Sequence, residues 1–398
     1  MRSTTETAAA IEWDILTTDL GRSLMDQVAA VKTIGPGDLE RWRSLASPEQ
    51  VATAIRLVDG RRRGAAKFAI ADRMWFDPVA LEQSTGETVA RHKAERFAGA
   101  DVVDLCCGIG GDSISLAKVA NRVLAVDRDH GMLRRCLWNA EVHGVAANIL
   151  GVKSRAESFP IPAGAVVHID PDRRARARKR AKGIGGYAPG LAFLRSLPDR
   201  CLGGAIKLGP ASDFDEFFGG RGHEVEIVSV RGECKEATVW FGSLATCRTR
   251  ATMLHSGATW TDLHETAGRP AGGALSAWLL EPDAALARSG LLDGFAAAHG
   301  LARPFAGIDL LTGEGPVSSP WLASFEVAAE MPLDWKTIRR EARRLGLDIR
   351  EVKTRGLPDI HPGEVADRLR DEHGTPATLF LLRGTAGRRA ILARRGSA

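Results

Sequence analysis

The chain has 398 residues, 44% of them hydrophobic and 26% charged, with 43 Gly, 18 Pro and 6 Cys. That apolar share supplies a real core and excludes wholesale disorder. No run approaches the roughly 18–20 apolar residues of a membrane span, and the length suggests two or three domains of about 100–200 residues. Cys106, Cys107, Cys136, Cys201, Cys234 and Cys247 form no C-x-x-C pair and join no histidines at zinc spacing. Neither a disulfide scaffold nor a bound metal is therefore expected, and a reducing cytoplasm is the expected location. The polar stretch from Met1 to Trp13 does not read as a secretory leader. The net charge of +5 is uneven: residues 331–398 hold 15 Lys/Arg and 9 Asp/Glu (+6), the remainder 39 and 40 (−1). A basic tail suggests a polyanionic partner, although a merely soluble surface would look similar.

In chain order, residues 1–98 read as helical, with Leu20, Leu24, Val28 and Val31 at a 3–4 spacing. From Asp101 short β-rich runs alternate with helical ones: DVVDLCC then DSISLAKVA, NRVLAVD then HGMLRRCLWNAEVHG, AVVHID then YAPGLAFLRSL, GGAIKLG then DFDEFF. This rhythm predicts an α/β fold, a Rossmann-like parallel sheet with helices on both faces. HEVEIVSV and ATVWFGSL follow with only RGECKE between them, which predicts an antiparallel terminal hairpin. Such an ending suits a seven-stranded methyltransferase sheet better than a dehydrogenase. Residues 249–265 read as one more hairpin, and GRPAGGA (268–274) as a boundary. From Pro332 a helix, an extended run, a second helix and two strands predict a small C-terminal α/β domain. The expected division is a helical region 1–98, a catalytic domain 99–265, a connecting region 266–330 and a C-terminal domain 331–398.

Asp104-Leu-Cys-Cys-Gly108-Ile-Gly110-Gly111-Asp112 leaves a strand and opens a helix. Its glycines permit a tight turn and a close ligand approach. A dinucleotide site would want G-x-G-x-x-G, yet the third position is Ser113, and Asp112 would repel a pyrophosphate at the helix N-terminus. S-adenosylmethionine carries a sulfonium and an ammonium and no phosphate, so a carboxylate such as Asp104 suits it. Asp127, 19 residues after Gly108, can accept from ribose hydroxyls of either cofactor. Glu157 is a candidate for the adenine amino group, though an exposed loop glutamate is an equal reading. Cys106 and Cys107 read as small packing residues within the turn.

The fourth strand ends in Asp170-Pro171-Asp172-Arg173-Arg174, at the strand end where open α/β sheets bind ligands. Amino-methylating enzymes carry [DNS]-P-P-[YFW] here, the first residue accepting the amine hydrogens. Asp170 and Pro171 fit; Asp172 and Arg173 replace the proline and the aromatic, and an arginine can still stack on a base or hold a phosphate. An ordinary Asp-Pro turn is the competing reading. Arg173, Arg174, Arg176, Arg178, Lys179, Arg180 and Lys182 then place seven cations in ten residues. A solvated run is the usual meaning of such a cluster; beside a strand end it also fits a phosphate clamp. His168 reads as a packed core histidine.

DLCCGIGGDSISLA, VLAVDRD, LWNAEVHGV and the upstream QSTGETVARH resemble the trimethylguanosine synthase group of RNA guanine-N2 methyltransferases. From about Leu81 onward the chain resembles bacterial class I methyltransferases with a C-terminal THUMP-like domain. LEQSTGETVARHKAERF, IDPDRR, VRGECKEATVWFG, EPDAALARSG and the tail from Ser324 carry that likeness. The resemblance implies S-adenosylmethionine as cofactor and RNA, possibly tRNA, as partner. It implies a lid role for Thr85 over the cofactor, although Thr85 to Thr88 also reads as a helix cap. Gly108 and Gly110 are expected to shape the cofactor loop, and Cys106, Asp112, Arg128 and Asp170 are counted among the candidate cofactor contacts. Arg339, Arg340 and Arg343 of the tail become candidate RNA contacts; a solvated helix with i,i+4 pairs would carry many of the same residues. Two other readings remain open at this point: an NAD-dependent dehydrogenase, and a non-catalytic RNA-binding module on the same fold.

Overall fold

The computed structural model describes residues 11–15, 17–172, 186–212, 214, 218, 222–264, 270, 272–371, 373–384 and 387–396. The parallel sheet expected from Asp101 onward consists of β1 (Asp101–Leu105), β2 (Arg122–Asp127), β3 (Ile149–Lys153), β4 (Val166–Ile169) and β5 (Gly203–Leu208). β1 pairs in parallel with β2 and β4, β2 with β3, and β4 with β5. Strand order reverses between β1 and β4, so the loops leaving those two strands open a crevice at the carboxyl edge. β6 (His223–Val230) and β7 (Glu233–Gly242) are neighbours, and Arg231 and Gly232 between them have φ of 51° and 80°. Two left-handed residues make a type I′ turn, whose twist matches a hairpin.

The sheet order is β3-β2-β1-β4-β5-β7-β6-β8-β9. Among the described residues it has nine strands rather than the expected seven. The separate hairpin, β8 (Thr249–Met253) and β9 (Ala258–Thr261), joins the edge because β8 pairs in parallel with β6. The chain forms two compact units, Met1–His223 with Thr238–Thr246, and Glu224–Ala237 with Cys247–Ala398.

In the first unit the N-terminal helices are α1 (Asp19–Ala30), α2 (Pro36–Arg43) and α3 (Pro48–Gly64). Ser47 and Gln50 form a capping box at α3, which has Pro at its start. These helices bury Leu24, Val28, Trp42, Ala54 and Leu57 with Trp138 of a sheet-covering helix. Next come α4 (Pro78–Gln83), α5 (Glu87–Ala94), α6 (Ser113–Ala117), α7 (His130–Val142) and α8 (Leu191–Ser196). Phe97, Val102, Val123, Ala125, Cys136 and Trp240 lie in the core beneath the sheet's covering helices.

The second unit carries a six-stranded sheet, ordered β11-β10-β12-β15-β14-β13. Its strands are β10 (Trp278–Pro282), β11 (Leu311–Gly313), β12 (Leu322–Pro332), β13 (Leu347–Arg355), β14 (Thr375–Gly384) and β15 (Gly387–Arg395). Its helices are α9 (Ala284–Arg288), α10 (Leu292–Ala298), α11 (Trp335–Arg344) and α12 (Pro362–Leu369). Ile338 and Ala342 of α11 and Val365 of α12 pack on Leu347, Ile349, Leu379 and Leu392. Phe325, Phe380 and Ile391 belong to a second buried cluster. Among the described residues no helix is long and apolar enough to cross a membrane.

Candidate active site

The loop after β1 bends through three left-handed residues, Cys106 (φ 61°), Gly108 (56°) and Gly110 (89°). Such a φ is uncommon for a side chain like that of Cys106, and strained backbone of this kind concentrates at functional sites. A Cβ on Gly108 would meet open space, whereas one on Gly111 would come within 3.1 Å of the Thr85 carbonyl. The loop is therefore open over Gly108 and covered over Gly111 by the segment joining α4 to α5.

Lysines hold that covering segment. Lys67 Nζ donates to the carbonyls of Leu81 (2.7 Å), Glu82 (2.9 Å) and Ser84 (2.8 Å). Lys207 Nζ donates to the carbonyl of Gln83 at 3.0 Å. Four successive carbonyls thus meet two ammonium groups. Thr85 does not cap α5: Gly86 occupies the N-cap, and the Thr85 hydroxyl donates to Asp112 Oδ2 at 2.6 Å. The capping reading fails because that hydroxyl is buried against the glycine loop.

Asp104 is 1% exposed. It accepts from the Ser113 hydroxyl, and His168 Nδ1 lies 2.7 Å from its Oδ1. Ser113, standing where a dinucleotide motif would have glycine, thus fills a place that needs a hydroxyl. His168 is buried as expected, but its ring belongs to this polar cluster and packs edge-on against Phe97. Asp112 Oδ1 lies 3.0 Å from Lys93 Nζ, both side chains nearly inaccessible. Burial opposes ionisation of Asp112, but Lys93, His168, Lys207 and the Thr85 hydroxyl together hold its carboxyl below the ordinary value. Lys93 offsets the negative charge of Asp112, so the expected repulsion at the helix start is not what selects the ligand.

Asp127, ending β2, accepts from Gly108 N at 3.0 Å and from Asp129 N at 2.8 Å. Burial raises its pKa against those two bonds. A carboxylate has about four lone-pair sites, so two bonds leave capacity for a ligand. Arg128 is exposed beside it. Glu157 sits in the 3-10 turn Ala156–Ser158 and pairs with exposed Arg155 at 3.4 Å. Cys106 stands among acids: burial first, then Asp127, Asp170, Asp104 and Glu157, push its thiol well above the usual range. A thiol held protonated is no nucleophile, and the surrounding carboxylates suit a cationic ligand. Cys107 is likewise raised, first by its hydrogen bond with Cys136 and then by burial.

Across the crevice, Asp170 follows β4, with Pro171 buried behind it. Asp170 Oδ2 pairs with Lys207 Nζ at 2.6 Å, and Asp172 Oδ1 accepts from Gln83 Nε2 at 3.2 Å. Lys93 and Lys207 have no motif spacing to reveal them in the sequence; each meets its partner only through the fold. Asn139 is a third such residue. Its amide bonds Trp75 N and O and the Ile109 carbonyl, fixing the glycine loop to the N-terminal region. The expected contacts Arg173, Arg174, Arg176, Arg178, Lys179, Arg180 and Lys182 lie outside the described residues. Arg339, Arg340 and Arg343 lie exposed on α11, in the other unit.

Two Mycobacterium tuberculosis strains, CDC 1551 and H37Rv, each have an uncharacterized S-adenosylmethionine-dependent methyltransferase similar to this chain. Both are 34% identical over 342 residues, covering 82% of this chain and 91% of theirs. The chain belongs to the S-adenosylmethionine-dependent methyltransferases. Residues 99–174 match the model of the RNA cap guanine-N2 methyltransferases, and residues 322–395 that of THUMP-like domains. The fold of a Porphyromonas gingivalis W83 chain assigned to the methyltransferases is similar over 100% of both chains, with TM-score 0.71 at 20% identity.

The methyltransferase uses S-adenosylmethionine, which sets aside the dehydrogenase and the non-catalytic readings. Its site fits that cofactor: a loop open over Gly108, and beside it a carboxylate whose hydrogen bonds among the described residues come from two backbone N–H groups. Among the described residues no group of three or more His, Cys, Asp or Glu is placed to hold a metal.

Proposed function

We propose that the methyltransferase acts on RNA, transferring the methyl group to a base nitrogen of a structured RNA such as tRNA in the cytoplasm. The observation that carries this reading is Asp170 beside the glycine crevice, in a stretch similar to RNA guanine-N2 methyltransferases. The THUMP-like tail and its +6 charge support the same partner, and six free cysteines fit a reducing compartment.

When bound, the cofactor supplies an electrophilic methyl on a cationic sulfur. Asp127, with Arg128 beside it, would hold the ribose, and Glu157 the adenine edge. Asp104 would give negative potential at the methionine end from behind Ser113, Asp112 would hold Thr85 over the cofactor, and Cys106, Gly108 and Gly110 would shape the loop. Asp170 would accept the hydrogens of the acceptor nitrogen and Pro171 would fix its backbone, so catalysis rests mainly on alignment. Arg173, Arg174, Arg176, Arg178, Lys179, Arg180 and Lys182 would grip phosphates near the reacting base, and Arg339, Arg340 and Arg343 more distant ones. We assign residues 1–98 to the lid-bearing helical region, 99–265 to catalysis, 266–330 to the connection and 331–398 to RNA binding.

Calorimetry with S-adenosylhomocysteine tests the pocket. Asp127→Ala should weaken binding on the order of ten- to a hundredfold, as expected for lost bonds to a charged group. Tritium transfer to total RNA tests the substrate: label should appear in RNA and vanish with Asp170→Ala. Label absent from RNA but present in protein or small molecules refutes the assignment.

A further inference from the structure

Lys207 is a residue to which neither motif nor resemblance assigns a role. It stands on β5, one strand beyond β4, and its side chain is 14% exposed. Its ammonium reaches two groups at once, Asp170 Oδ2 at 2.6 Å and the Gln83 carbonyl at 3.0 Å. Gln83 returns a second link to the same strand end through Asp172. Among the described residues Oδ1 of Asp170 has no hydrogen-bond donor, and the side chain is 28% exposed.

We propose that Lys207 is a positioning residue for methyl transfer: it fixes the orientation and charge of the Asp170 carboxylate and ties them to the segment covering the cofactor loop. This rests on the reading of Asp170 as the group that orients the acceptor. A carboxylate held as an anion can only accept hydrogen bonds. With Oδ2 committed to Lys207, Oδ1 selects a nucleophile that brings its own N–H, such as an exocyclic amine or ring N–H, over one with no hydrogen to donate.

The charges around Asp170 agree. Burial raises its pKa, Lys207 is the largest opposing influence, Asp112 raises it further and Lys93 lowers it. The thiol of Cys106 also feels this carboxylate. Without Lys207, burial and Asp112 would lose the largest influence that opposes them, leaving Lys93 as the next. Asp170 would then take up its proton at higher pH.

The test compares wild type, Lys207→Met and Lys207→Arg, with carbon-13 in the aspartate carboxyls and the Asp170 signal identified by its loss in Asp170→Asn. Lys207→Met should move the Asp170 titration upward by about one pH unit or more, and Lys207→Arg should restore it. The acid limb of methyl transfer should shift in parallel. At the wild-type midpoint Lys207→Met then loses roughly fivefold activity for a one-unit shift, approaching tenfold further below it and regained at alkaline pH. Backbone amides of residues 83–87 should exchange faster in Lys207→Met. An unmoved Asp170 titration with unchanged exchange overturns the proposal, even if activity falls. A moved titration in a protein that methylates no RNA leaves the Lys207 assignment standing and refutes the RNA reading instead.

Discussion

Asn139 and Trp75, 64 residues apart, are joined by a two-way amide contact: Asn139 Oδ1 accepts from Trp75 N at 2.7 Å, and Asn139 Nδ2 donates to Trp75 O at 3.0 Å. The same Nδ2 donates to Ile109 O, inside the glycine loop, at 2.9 Å. One wholly buried side chain therefore satisfies three main-chain groups and fixes the loop's rear face. Asn139→Ala leaves a buried N–H and two carbonyls without it, at about 1–3 kcal/mol for each group left unsatisfied. The urea midpoint should fall with an unchanged slope, and affinity for S-adenosylhomocysteine should fall with it. An unchanged midpoint would show that the contact adds nothing.

Lys93 and Asp112 make the second testable pair, with side chains 3% and 7% exposed. Lys93→Met removes the charge and leaves Asp112 buried, which should cost about 3–5 kcal/mol near neutral pH. The sign with pH follows from the direction of the shift. In the wild type the folded Asp112 carboxyl lies below its unfolded value, so its stabilisation is full above the unfolded pKa. That stabilisation fades as pH falls through the folded one. Wild-type stability from this pair should thus be flat from pH 5 to 8. In Lys93→Met the largest influence opposing burial is gone, so the Asp112 carboxyl moves upward and the penalty should shrink on acidification as it takes up a proton. Thermal melts of both proteins from pH 4.5 to 8 check this: a penalty constant with pH would mean that Asp112 is not the group affected.

What was legible in the sequence was what local rules control. The glycine turn, the acid ending β2 and the βα rhythm each lie within a short span, and each has its expected place in the fold. β12 was not legible, because its pairing with β15 shifts register between Val327 and Ala329. Such a bulge breaks the period-two pattern by which a strand is recognised. Lys93, Lys207 and Asn139 escaped for a different reason. Their partners Asp112, Asp170 and Trp75 are set by tertiary packing, and a lone lysine or asparagine has no spacing signature. The cation that compensates Asp112 comes from another helix, so no local pattern shows that its charge is offset.

The tail offers a sharper expectation than its net charge did. On α11, Arg344 and Arg340 share Glu341 at 2.7 and 3.5 Å, whereas Arg339 and Arg343 have no carboxylate partner among the described residues. Trp335, four residues before Arg339, is 41% exposed although large aromatics are usually covered. Trp335, Arg339 and Arg343 thus form one stripe at i, i+4 and i+8, beside the face that buries Ile338 and Ala342. Two uncommitted guanidiniums in line with an exposed ring suit an RNA strand, phosphates on the arginines and a base on the indole. The double variant Arg339→Glu with Arg343→Glu should weaken RNA binding and lower the salt slope by about 1.4–1.8, two phosphate contacts' worth. Trp335→Ala should cost about 1–3 kcal/mol of affinity while leaving that slope unchanged. The Arg340→Glu and Arg344→Glu pair should do less, because Glu341 already claims both. Fluorescence anisotropy with labelled RNA across a salt series reads all three; equal losses from the two arginine pairs would assign the effect to net charge rather than to this stripe.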